Sequence, residues 1–152
     1  IYESNPDCGN TRQLGTASSE GTVTYSTMTL YPDDEMDYFR ATLQETDSTC
    51  GCTDLASTDE DYQVRVSLTA PAGVGSLRLC ANVDTCGFPA ENCIEVNAGN
   101  MGTFSMWVDG SCAPGGGNDL YTLYMSVVGQ DAPGFECKPY TLSYVFDAGY
   151  CR

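Results

Sequence analysis

The segment Tyr62-Gln63-Val64-Arg65-Val66-Ser67-Leu68 alternates between apolar and polar residues without a break. A period of two places Tyr62, Val64, Val66 and Leu68 on one face of an extended chain, with Gln63, Arg65 and Ser67 on the other. No stretch of useful length carries the 3.6-residue period of an amphipathic helix, so the chain is confined to sheet. Residues 76–81 repeat the alternation after an Ala-Pro-Ala-Gly-Val-Gly turn at 70–75. Further strands are expected over 21–30, 36–43, 93–96, 102–108, 120–128 and 140–146. Loops are expected over 44–61, 82–92 and 109–119, the last holding three consecutive glycines. About eight short strands with no internal repeat or linker predict one all-β domain over 1–152. Its expected form is an antiparallel β-sandwich of jelly-roll or Greek-key type.

Cysteine content sets the compartment. The nine cysteines are Cys8, Cys50, Cys52, Cys80, Cys86, Cys93, Cys112, Cys137 and Cys151, in a chain with no histidine and one lysine. That density belongs to an oxidising, extracellular environment and predicts several disulfides. Cys86 with Cys93, and Cys112 with Cys137, are two pairings the loop lengths suggest. An odd count leaves at least one thiol unpaired or shared with another molecule, and Cys8 and Cys151 lie near the termini, where a neighbour is most easily reached. A start at Ile1 with no basic, apolar leader reads as a mature exported product or an excised segment.

Charge narrows the partners. Twenty-one acidic residues against six basic ones give a net charge of -15, which repels nucleic acid and anionic membrane surfaces. No run of about 18 apolar residues is present to span a membrane. A cation, a neutral polymer or a basic protein remains attractive to such a surface.

Catalytic chemistry finds little support. Without histidine there is no Ser-His or Cys-His pair and no histidine-containing zinc site. Lys138, the single lysine, lies in an expected turn and reads as a solvated side chain. Acidic pairs of the glycosidase kind are no more than an acidic surface always offers. The expectation is a protein that is not an enzyme.

The run Asp33-Asp34-Glu35-Met36-Asp37 places four carboxylates in five residues, which repel one another unless a cation or basic partner lies among them. Glu3, Asn5 and Asp7 offer a second set of hard oxygen ligands, and calcium takes six to eight oxygens. A charge run taken alone reads as a solvated turn. Trp107, in an alternating run, is expected to be buried; an exposed platform for stacking a sugar is the other reading.

The order Tyr2-Glu3-Ser4-Asn5, Thr11-Arg12-Gln13-Leu14-Gly15, Gly21-Thr22-Val23 and Asp34-Glu35-Met36-Asp37-Tyr38-Phe39 resembles the bacterial pre-peptidase C-terminal domain family. The closing Tyr140-Thr141-Leu142-Ser143-Tyr144 resembles that family's last strand. The resemblance implies a non-catalytic β-sandwich carried by secreted bacterial hydrolases. It also implies a calcium site at Glu3, Asn5, Asp34 and Asp37, with Asp33 and Asp7 nearby. The chain departs from the family in its nine cysteines and in the wider spacing of Asp34 and Asp37. Two functions follow as expectations. One is a calcium-stabilised structural or adhesive subunit that self-associates into an extracellular filament or layer. The other is an accessory module that brings a secreted hydrolase to a polysaccharide or fibrous protein.

Overall fold

A computed structural model describes residues 11–18, 21–30, 36–45, 60–110, 120–130 and 138–147. They form nine strands: β1 (Arg12–Ser18), β2 (Thr22–Met28), β3 (Met36–Gln44), β4 (Glu60–Thr69), β5 (Leu77–Val83), β6 (Cys93–Val96), β7 (Met101–Gly110), β8 (Leu120–Gly129) and β9 (Tyr140–Asp147). A single turn of 3₁₀ helix, Ala90–Asn92, precedes β6. Two sheets, ordered β1-β3-β8-β5-β6 and β2-β9-β4-β7, pack into the expected sandwich. Only β5 and β6 are consecutive strands in one sheet; every other step passes between sheets, which excludes an up-and-down meander.

Alternation built this core. Tyr62, Val64, Val66 and Leu68 of β4 meet Leu142, Tyr144 and Phe146 of β9, and all are at most 1 % exposed. Leu77 and Leu79 of β5 and Leu123, Met125 and Val127 of β8 line the facing sheet. Each such aliphatic or aromatic side chain contributes roughly 1.5–3 kcal/mol by leaving water. Tyr62 and Phe146 meet edge to face with ring centroids 5.5 Å apart. Phe104 of β7 is half-buried against the core. Tyr38 is not in the core: Asp37 and Phe39 take the inward positions of β3, and Tyr38 stacks outside on Phe88 at 6.1 Å.

Strand β1 is absent from the sequence expectation. It pairs in parallel with β3, and the register shifts between Gln13 and Thr16. Its buried residues, Leu14 and Ala17, are therefore three apart instead of two, and no alternation marks the strand. The N–H and C=O of Gly15, inside the shift, are taken by the hydroxyls of Tyr25 (2.7 Å) and Tyr144 (2.6 Å).

The cysteine pairing also differs. Cys80 bonds Cys93, not Cys86. The β5–β6 ladder sets Cys80 directly opposite Cys93 with Cα atoms 4.1 Å apart, so strand register decides the partner. Among the described residues this is one disulfide where several were expected. Cys86 is oxidised as well, and Cys8, Cys50, Cys52, Cys112, Cys137 and Cys151 lie outside the described residues.

Candidate functional site

Of the residues expected to hold calcium, Glu3, Asn5, Asp7, Asp33 and Asp34 lie outside the described residues. Asp37 is described, and the pleat of β3 turns it inward, where it is 4 % exposed. Its Oδ2 accepts a 2.8 Å hydrogen bond from the hydroxyl of Tyr140 across the sandwich. A carboxylate buried in this way is stabilised by its hydrogen-bond donors, whether or not a cation lies near. Among the described residues no group of three or more acidic or cysteine side chains is placed to hold a metal ion. Asp37 and Arg12 both line a cavity of about 240 Å³ between β1, β2 and β3.

The lateral edges of the two sheets are unequal. At one side β6 lies over β7, close enough that a Cβ on Gly102 would stand 2.6 Å from Val96 Cγ2 and 2.9 Å from Ile94 Cδ1. Strand β6 is only four residues long. It meets β7 at Gly102, near the start of that strand. At the other side β2 is an edge strand that, among the described residues, pairs only with β9. Its sequence, Thr-Val-Thr-Tyr-Ser-Thr-Met, holds no charge, proline or glycine. Its ladder is regular from Thr22 to Tyr25 and shifts register before Met28. Thr22, Thr24 and Ser26 are exposed.

Trp107 is 39 % exposed, not buried as its alternating run suggested. Met106 and Val108 take the two inward positions around it, and the pleat sends the indole outward. The strand keeps its period of two, and its phase puts the indole outside: a run of Met-Trp-Val offers apolar residues to both faces. Beside Trp107, next to Asn92 just before the start of β6, a cleft of about 500 Å³ is lined by Asn82, Asp84, Asn92, Ser105 and Tyr121, among others.

Hydrogen bonds hold the far wall of this cleft. Asp84 adopts a φ of 57°, the one positive value at a described non-glycine residue. Its N–H donates to Thr122 O at 2.8 Å, and Thr122 N–H donates to Asp84 Oδ1 at 2.8 Å. Aspartate tolerates the left-handed region better than most residues because its short side chain can bond nearby backbone in this way. Asn82 Nδ2 donates to Gly87 O at 2.7 Å, closing the turn. The Cys80–Cys93 bond ties the two ends of the segment together. Asp84, Asn82 and Asn92 carried no sequence motif; the strained φ that singles out Asp84 exists only in the folded chain. No protein-family model matches this sequence, and no curated protein matches it either.

Proposed function

We propose that this is an exported, non-catalytic structural or adhesive subunit that assembles with copies of itself by strand pairing at the edge of β2. The observation that carries the reading is the character of that edge. Sandwich proteins that stay monomeric defend exposed edges with lysine, proline, inward charge or bulges. In a chain of net charge -15, β2 carries no charge at all, and its first four residues run in regular register. Seven residues of high β-propensity without proline or glycine are suited to pairing with another strand. The nine cysteines and the oxidised β5–β6 pair support an extracellular location. The likeness to pre-peptidase C-terminal domains supports the absence of catalysis and adds calcium as the expected cation.

Negative-stain microscopy of the unreduced protein in millimolar calcium, with and without chelator, tests the assembly. Ordered polymers in the wild type that are lost in a Thr22→Lys/Thr24→Lys variant of unchanged unfolding midpoint are expected. Polymers that thin or dissociate on chelation would place calcium at the joints. Isolated wild-type particles in every condition would sink the reading.

A second reading is favoured by one observation, the exposed Trp107 beside a polar cleft. In it the domain is an accessory module that holds a secreted hydrolase on a polysaccharide or fibrous protein.

A further inference from the structure

We infer that the cleft between the end of β5 and the outer edge of β7 binds a neutral saccharide chain, with one sugar ring stacked on Trp107. The inference deepens the accessory-module reading and does not depend on assembly through β2, which lies at the opposite side of the sandwich.

The size and the lining both point to this ligand class. A cleft of about 500 Å³ is in the range that takes a small molecule or a few sugar units. Its wall combines one large aromatic face with short amide, hydroxyl and carboxylate side chains: Asn82, Asn92, Ser105 and Asp84 around Trp107 and Tyr121. A pyranose ring needs both kinds of surface, an aromatic face for its axial C–H groups and hydrogen-bonding partners for its equatorial hydroxyls. Among the described residues no lysine or arginine lines the cleft, and one carboxylate, Asp84, does. With a net charge of -15 around it, the site disfavours an anionic polymer and suits a neutral one.

The geometry is also prepared in advance. Thr122 takes one oxygen of Asp84, which fixes the carboxylate at the cleft and leaves Oδ2 to accept from a ligand hydroxyl. Asn82 is held by Gly87, and the disulfide at Cys80 and Cys93 restrains the backbone from which Asn82, Asp84 and Asn92 project. A wall that does not have to be ordered on binding loses less affinity to entropy.

Trp107 is the only tryptophan in the protein, so its emission reports on this site alone. The probes are cellohexaose and chitohexaose, titrated separately into the full chain at a protein concentration shown by light scattering to be monomeric. A saturable blue shift is expected with at least one of them. Trp107→Ala, followed by calorimetry with the same sugar, is expected to weaken binding by at least about tenfold. Ser105→Ala, which keeps the indole, is expected to weaken it less. An unchanged unfolding midpoint in Trp107→Ala would confirm that the loss is local.

No saturable change with either sugar up to about 10 mM, or binding in Trp107→Ala equal to wild type, would overturn the inference. A blue shift that follows protein concentration without sugar would also overturn it, assigning the cleft to a neighbouring copy. Loss of polymers in the β2 lysine variant with sugar binding intact would separate this site from assembly.

Discussion

The hydroxyl of Tyr144 donates a 2.6 Å hydrogen bond to the carbonyl oxygen of Gly15, 129 residues away in the other sheet. Gly15 lies where the β1–β3 register shifts, and its N–H is taken in turn by Tyr25. Two tyrosine hydroxyls thus satisfy the backbone that the irregularity leaves without ladder partners. Tyr144→Phe is expected to cost about 1–3 kcal/mol at neutral pH, because a part-buried carbonyl loses its donor. Denaturant unfolding of the two proteins measures it.

The same tyrosine predicts an alkaline limit. Burial first, and the neighbouring Tyr25 second, push its hydroxyl pKa well above the ordinary tyrosine value of 10. Folding therefore favours the protonated phenol. Its stabilisation is complete below about pH 10, where tyrosine in the unfolded chain is still neutral, and declines as the pH rises beyond that. Unfolding midpoints measured from pH 8 to 12 should fall less steeply in Tyr144→Phe than in wild type.

Strands whose alternation is uninterrupted were legible in the sequence, β4 most clearly, since Val64, Val66 and Leu68 need no tertiary information to choose a face. Strand β1 was not legible, because a register shift at Gly15 separates Leu14 from Ala17 by three positions. Disulfide choice was equally hidden: loop length pairs Cys86 with Cys93, whereas ladder register sets Cys80 against Cys93. The site was half legible. Trp107 stood out as the single indole, but which face it took depended on Met106 and Val108 claiming the interior. Asp37 stood out as one of a row of acids, and only the pleat of β3 shows that it points inward to Tyr140.

Removing the staple should be costly. A Cys80→Ser/Cys93→Ser variant is expected to lose about 3 kcal/mol, the order of magnitude for a loop of this length. Guanidinium unfolding of the oxidised wild type and the double variant gives the difference. A midpoint shift with the slope preserved would attribute it to stability alone.

Gly102 is a second pressure point. An alanine there would place its methyl within 2.6 Å of Val96 Cγ2, and Val96 is buried. Gly102→Ala should destabilise the fold by about 1–3 kcal/mol through overpacking between β6 and β7. Urea unfolding checks it. The paired change Gly102→Ala/Val96→Ala, which removes the nearest obstructing methyl and leaves Ile94 Cδ1 at 2.9 Å, should cost less than the sum of the two single changes.

At Asp84 chemistry and conformation can be separated. Asn accepts the Thr122 N–H and tolerates a φ of 57°, so Asp84→Asn should stay within about 0.5 kcal/mol of wild type. Asp84→Ala keeps neither advantage and should lose about 1–3 kcal/mol. Thermal melts of the two variants side by side decide it.

The winding of the chain between sheets has a consequence for how quickly the sandwich can form. Seven of its eight strand-to-strand steps change sheet, so nearly every ladder joins segments far apart in sequence and has a long loop to close first. Refolding is expected on the slow side, milliseconds to seconds, as for other sandwiches dominated by distant pairings. Among the described strands, only β5 and β6 are consecutive in sequence and paired in one ladder. They are the segment able to come together early, and under oxidative refolding Cys80–Cys93 should be among the first native bonds trapped. The order in which cysteines disappear from solution would then serve as a clock for assembly of the fold.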